Sequence, residues 1–281
     1  MQNITIIGAG TMGHGIAHVA ALAGYEVHLC DIDPAVVERA LATVARNMQK
    51  GVDRNKLSPE AMEAGLARIT GSGSMAEACD QADLVIEAVP EKLELKRAIF
   101  REVQQHTDAM LGTNTSSLSI ARIAEGLERP ERVIGLHFFN PVHIMALLEI
   151  IVHEGTSTET LSACLAFGKR IGKSCITVKD FPGFATSRLG VCLGMEAIRM
   201  VEQGVASPED IDTAMVLGYR HPIGPLRLSD LVGIDVRMHI GEYLAKELDN
   251  PAFEPPELMR RMVREGRLGK KSGQGFYTWD S

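Results

Sequence analysis

The sequence predicts an α/β protein in two parts: a mostly parallel sheet covered by helices over residues 1–182, and an all-α domain over 183–281. Three observations carry this. Short β-branched runs alternate with helical stretches through the first half. An apolar strand, Ile4-Thr5-Ile6-Ile7, opens directly into Gly8-Ala9-Gly10-Thr11-Met12-Gly13. After Lys179-Asp180-Phe181-Pro182-Gly183 the strand signal stops.

In chain order, strands are expected at 3–7, 26–30, 68–70, 84–88, 109–113, 133–138, 147–152 and 175–178. Helices are expected between them near 12–23, 34–49, 58–65, 94–105, 117–125 and 158–171. Ser58-Pro59-Glu60 is a helix start, with a capping hydroxyl and Pro at the first helical position. Beyond the boundary the expected helices are 184–203, 208–217, 235–248 and 256–265. Ser207 caps the second of these, and Asp210 suits its dipole. Gly218 and Gly266 are its natural stops and those of the last helix. The 184–203 helix carries only Arg188, Glu196, Arg199 and Glu202 as charges, with apolar residues all round. Such a helix must be buried. A subunit interface is the expectation, and packing within the chain is the alternative.

Composition narrows the function. Lys and Arg number 29 against 36 Asp and Glu, a net charge of −7 with no dense basic block, so no nucleic-acid partner is expected. The apolar stretches 144–148 and 150–152 are broken by Glu149 and fall far short of the ~18 residues of a membrane span. No membrane partner is expected. Five cysteines, at 30, 79, 164, 175 and 192, form no CxxC pair and read as reduced core residues of a cytoplasmic protein. No metal site is expected. The strand pattern begins at Asn3, and the expectation is a chain without a targeting leader.

The glycine run has the spacing G-x-G-x-x-G between a strand and a helix. Gly8 permits the tight turn, Gly10 lets backbone approach a pyrophosphate, and Gly13 lets helix and strand pack closely. The helix N-terminus offers N–H groups to phosphates. Asp31 stands eighteen residues beyond Gly13, at the end of the next strand. A carboxylate there accepts from an adenosine ribose and repels a 2′-phosphate, which favours NAD over NADP. FAD shares the same opening and competes as a reading. So does a purely structural glycine turn with a capping Asp. Asp33-Pro34 is itself a candidate cap, which leaves Asp31 to the ribose. The fold class is therefore a Rossmann-type domain followed by helices.

The stretch Ile134-Gly135-Leu136-His137-Phe138-Phe139-Asn140-Pro141, with Leu147-Leu148-Glu149-Ile150-Ile151 after it, resembles the L-3-hydroxyacyl-CoA dehydrogenases. Asn114-Thr115-Ser116-Ser117-Leu118, Asp180-Phe181-Pro182-Gly183-Phe184 and Gly269-Lys270-Lys271-Ser272-Gly273-Gln274-Gly275-Phe276-Tyr277 are similar too. The resemblance runs in order along the whole chain and is greatest to the short, single-function members of 3-hydroxybutyryl-CoA type. It implies NAD-dependent interconversion of short L-3-hydroxyacyl-CoA and 3-ketoacyl-CoA by a homodimer joined through the C-terminal domain.

Oxidising a secondary alcohol requires removal of a hydride from carbon and a proton from oxygen, and an imidazole suits the proton. The resemblance gives that role to His137, at a predicted strand end, with Glu149 orienting it. Without the resemblance, a strand-end histidine is more simply a structural hydrogen-bonder. Ser116 matches a serine that meets the substrate beside the nicotinamide; from the residues alone it reads as the cap of 117–125. By the same resemblance Asn140 lies near the nicotinamide ribose, Glu91 and Lys96 contact NAD, and Lys271 is a cofactor-proximal tail lysine. Taken alone, Glu91 and Lys96 read as a solvated helix face and Lys271 as surface. The CoA moiety aligns with Asn47 and Arg54, with Lys50 and Lys56 nearby.

Three positions depart from the family. Ser187 replaces an asparagine that bonds the substrate carbonyl in many members. His143 and Ala146 stand where Pro and Lys are common. These bear on the substrate profile more than on the reaction. Two other readings compete: a dehydrogenase of a free hydroxyacid or sugar acid, of L-gulonate type, and a redox-inactive NAD-binding protein.

Overall fold

In the computed structural model, which describes residues 1–280, two compact units divide between Asp180 and Phe181. Ser281, the end of the expected second domain, lies outside the described residues.

The first unit is built on an eight-stranded sheet. Its strands are β1 (Asn3–Ile7), β2 (Glu26–Cys30), β3 (Ile69–Ser72), β4 (Leu84–Glu87), β5 (Met110–Thr113), β6 (Val133–Phe138), β7 (Leu147–Val152) and β8 (Ser174–Lys179). They lie in the order β3-β2-β1-β4-β5-β6-β7-β8. Every neighbouring pair is parallel except β6 with β7. The chain starts in mid-sheet, works outward to β3, then returns to lay β4 beside β1. Strand order therefore reverses between β1 and β4, where open α/β sheets bind their ligands. The central strands are covered on both faces: Thr5 as well as Ile4 and Ile6 in β1, and Val85 as well as Leu84 and Ile86 in β4, are fully buried. The edge strand β8 is largely exposed and accordingly more polar.

Helices α1 (Thr11–Leu22), α2 (Pro34–Asp53), α3 (Pro59–Leu66), α4 (Met75–Cys79), α5 (Leu93–Val103), α6 (Ile120–Ala124) and α7 (Thr158–Arg170) complete this unit. Short polar side chains start several of them. Asp33 accepts from the Ala35 N–H at 2.9 Å, and Ser58 from the Ala61 N–H at 3.2 Å. The expected helix 117–125 begins later, at Ile120. Its cap is Ser119 rather than Ser116, because the Thr115 hydroxyl holds residues 117 and 118 in a turn of their own.

The second unit contains α8 (Thr186–Glu202), α9 (Pro208–Thr213) with a π-helical turn after it at Ala214–Gly218, α10 (Pro225–Val232), α11 (Ile234–Leu248) and α12 (Glu257–Arg264). Val191, Met195 and Ile198 on α8 belong to this unit's core, packed with α10, α11 and α12. Packing within the chain thus accounts for much of the apolar girth of α8, while Leu189 remains 72% exposed. One carboxylate takes three donors of the C-terminal tail. Asp230 accepts from the N–H groups of Phe276 and Tyr277 and from the Trp279 indole, each at 2.9 Å.

Candidate active site

Apart from Asn47 and Arg54, which belong to α2 and its C-terminus, the site residues of the first unit lie at or just beyond the carboxyl ends of β1, β2, β4, β5 and β6, or pair with residues there. Gly8 adopts φ +97°, and a Cβ there would stand 2.8 Å from the Ala88 carbonyl oxygen. Its N–H donates to the Cys30 carbonyl at 2.8 Å, which ties the loop to β2. A Cβ on Gly13 would fall 1.8 Å from the Gly8 carbonyl oxygen, so only glycine lets α1 pack this closely on β1. Gly10 has open space around its missing side chain. The helix starts at Thr11 and Met12 with no side-chain cap and no acid in its first turn. A bare helix N-terminus above an open glycine suits a diphosphate, so these residues fit a dinucleotide.

Asp31 sits half-buried just after β2. Its Oδ2 accepts from the Ala9 N–H at 2.9 Å and its Oδ1 from the Asp33 N–H at 3.2 Å. The carboxylate therefore braces the glycine loop at the end of β2, while Asp33 caps α2.

Behind the loops lies a buried charge network. Glu87, at the end of β4, and Lys96, on α5, are both fully buried, with Nζ of Lys96 2.8 and 3.0 Å from the two oxygens of Glu87. Thr113 on β5 donates to the same carboxylate at 2.7 Å. Lys96 also reaches Glu91 at 3.3 Å. Lys96 is thus no part of a solvated face. Glu91 in turn accepts from the N–H groups of Ser116 and Ser117, at 2.9 and 3.2 Å, and from the Thr115 hydroxyl. Partial burial works to raise the Glu91 pKa, but the Lys96 ammonium and these donors hold it below the ordinary carboxylate value. The turn bearing Ser116 is thereby fixed to the loop after β4.

His137 and Glu149 face each other across the one antiparallel pair. Their Nδ1 and Oε2 atoms are 2.7 Å apart, with Glu149 fully buried and His137 nearly so. Directly opposed residues on neighbouring strands hold their side chains together without help from a loop. Phe139 packs on the imidazole, ring centroids 4.4 Å apart. Asn114 accepts from the Phe138 N–H at 2.9 Å and so fastens the loop after β5 to the end of β6. Asn140 stands exposed just beyond.

A cleft of about 410 Å³ beside α2 brings Asn47, Lys50, Arg54 and Lys56 together with His18, on α1, and His143. The second unit holds the remaining two expected residues. Ser187 lies half-buried in the first turn of α8, and the Lys271 ammonium is bound to Asp235 at 2.7 Å. Glu87 and Asn114 carry no site role in the sequence reading. An acid closing the otherwise apolar run Leu84-Val85-Ile86 is the signal that points to the first; Asn114 has no comparable one.

A glycine cradle at a strand-order reversal, an acid at the end of the next strand and a buried His–Glu pair define a nicotinamide-dinucleotide-dependent dehydrogenase. The chain belongs to the 3-hydroxyacyl-CoA dehydrogenase family: the family's NAD binding domain matches residues 3–181, and its C-terminal domain residues 183–279. It is 40% identical over 284 residues to a probable 3-hydroxybutyryl-CoA dehydrogenase of Bacillus subtilis, covering 100% of this chain and 98% of that one. It is also 40% identical to the human mitochondrial hydroxyacyl-coenzyme A dehydrogenase, over 99% of this chain and 91% of the relative. The crystal structure of (S)-3-hydroxybutyryl-CoA dehydrogenase from Ralstonia eutropha superposes with a TM-score of 0.96 at 41% identity, covering both chains fully.

Proposed function

We propose that the chain interconverts L-3-hydroxyacyl-CoA and 3-ketoacyl-CoA of short acyl length, the 3-hydroxybutyryl and acetoacetyl pair foremost, with His137 as general acid/base. The observation that carries this is the buried 2.7 Å pairing of His137 with Glu149 in the same sheet whose first strand opens into the glycine cradle. NAD, when bound along Gly8, Ala9, Gly10, Thr11, Met12 and Gly13, supplies the hydride acceptor. His137 removes the hydroxyl proton of the substrate. Because Nδ1 is committed to Glu149, the proton moves through Nε2, and the buried carboxylate stabilises the imidazolium that results. Ser116, whose hydroxyl donates to Glu91 at 3.3 Å, meets the substrate beside the nicotinamide, with Glu91 keeping its turn in place. In the reverse direction the imidazolium returns the proton to the ketone oxygen.

Asp31 and Asn140 serve the two riboses, Lys271 approaches the cofactor from the tail, and Lys96 acts through Glu91. Asn47 and Arg54, with Lys50 and Lys56, take the CoA phosphates. A homodimer through the second unit is supported by large apolar side chains left exposed there, with Leu217 at 75% and Tyr219 at 77%. No helix among the described residues is long and apolar enough to cross a membrane, and all five cysteines are thiols, in keeping with a cytoplasmic setting.

Oxidation of NADH, followed with acetoacetyl-CoA, free acetoacetate and longer 3-ketoacyl-CoAs, tests the reading. Turnover is expected with acetoacetyl-CoA and not with the free acid. Equal turnover of free acetoacetate would move the protein to the free-hydroxyacid class, and no turnover at all would leave it a binding protein.

Two substitutions probe particular roles. Asp31→Ser, with an arginine introduced nearby, is expected to narrow the preference for NADH over NADPH, read as the ratio of kcat/KM values. Equal use of NADPH by the unaltered enzyme overturns the ribose role. Ser187→Ala is expected to reduce kcat/KM for acetoacetyl-CoA by roughly ten- to a hundredfold, since a carbonyl left unpaired in a dry site costs about 1–3 kcal/mol. NADH affinity is preserved and Ser187→Asn is tolerated. If the alanine variant matches the parent on every acyl-CoA, Ser187 has no substrate role.

A further inference from the structure

In the cleft beside α2, the rings of His18 and His143 stack with centroids 5.1 Å apart and planes 6° from parallel. His18 comes from α1 and is 5% exposed, while His143, from the segment after β6, stands exposed. Nδ1 of His18 is buried with no hydrogen-bond partner. A buried polar atom so left bears a desolvation penalty that a bound group can relieve.

The surroundings say what kind of group. Every ionisable side chain lining the cleft is basic: Lys50, Arg54, Lys56 and the two histidines. No carboxylate lines it, in a chain whose net charge is −7. From behind, the Lys173 ammonium donates to the carbonyls of Val142 and of Met145, the latter at 2.6 Å, and so anchors the segment bearing His143. His14 lies one turn before His18 on α1. Burial first, then Lys173, His14 and Lys50, lower the His143 pKa; burial and the neighbouring imidazoles bring His18 down to about 4. Both rings are therefore neutral near pH 7 while fixed cations surround them.

We propose that His18 and His143 form a proton-linked anion contact, in which a phosphate group of the acyl-CoA entering the cleft is accompanied by uptake of one proton on His143. The inference rests on the acyl-CoA reading given above. His18 is the positioning partner: too enclosed to charge first, it presents the flat ring on which His143 rests. Only one ring of a stacked pair charges readily, since a second positive charge at this separation is opposed. A phosphate dianion raises the imidazole pKa that its cationic neighbours lower. The complex then binds more protons than the empty protein, so affinity falls as pH rises through the raised value.

Calorimetric titration of the full-length protein with CoA at pH 7.5, in two buffers of different ionisation heat, counts the protons taken up. CoA phosphates hold their charge at that pH, so the uptake belongs to the protein. The expected result is an uptake approaching one proton, with Kd rising by up to tenfold per pH unit above neutrality. His143→Gln should abolish the uptake and flatten the pH dependence while CoA still binds through Arg54 and the lysines. His18→Gln should diminish the uptake. Binding of CoA to the parent protein without proton uptake overturns the inference and leaves the acyl-CoA reading standing; so does an unchanged uptake in His143→Gln. Absence of CoA binding removes that reading, and the inference with it.

Discussion

His137→Ala is expected to lower kcat for acetoacetyl-CoA reduction by about 10²–10⁴-fold, the range a positioned acid or base supplies. NADH affinity should change little. The cradle belongs to β1, and two further strands, β4 and β5, separate it from β6. Single-turnover rates together with NADH fluorescence separate the two quantities. Glu149→Gln should lose less, because the imidazole stays and a neutral acceptor still faces Nδ1, while the charge that stabilises imidazolium is gone. A loss of only a few-fold in the alanine variant would sink the acid/base assignment.

Lys96→Met is expected to destabilise the first unit by about 3–5 kcal/mol, because it strips the cation from a fully buried carboxylate at Glu87. For a unit of this size that corresponds to a fall in Tm of roughly 6–20 °C. Glu91 loses the ammonium that helps hold its pKa below the ordinary carboxylate value, so the turn through Ser116 loosens and NADH binding weakens as well. The double variant Glu87→Gln, Lys96→Met should recover much of the stability, since no uncompensated charge remains inside. Thermal unfolding of the two variants side by side decides the matter. If Lys96→Met melts with the parent, the pair is not the brace described.

Most of the sheet is legible in the sequence because its strands are apolar, short and bounded by turn residues. The ends of β1, β2, β6 and β7 coincide in sequence and structure. What escapes is short or punctuated. The five residues of α4 are too few to show a period. No helix is expected between 217 and 235, yet α10 starts there, with Pro225 as its first residue. The antiparallel pairing of β6 with β7 has no signature of its own in the residues. Within the site, glycine geometry and strand-end position make the cradle, Asp31 and the His137 locus readable. Pairing between elements does not announce itself in the same way: no periodicity or motif ties Lys96 on α5 to Glu87 on β4, or Asn114 to the backbone of Phe138. Ser116 shows the converse. Its type and place suggest a cap, but Ser119 takes that work and Glu91 takes hold of Ser116.

The bracing of the glycine loop by Asp31 has an evolutionary corollary. One carboxylate receives the Ala9 and Asp33 N–H groups and, in the ribose role proposed for it, also discriminates against a 2′-phosphate. A lineage drifting toward NADPH through this position therefore loosens its phosphate cradle in the same mutational step that widens its cofactor choice. The change costs less on a background where another side chain has already taken over the loop's donors. Cofactor preference in this chain is in that sense historically constrained: the order in which substitutions arrive, and not their sum alone, sets how costly the path is.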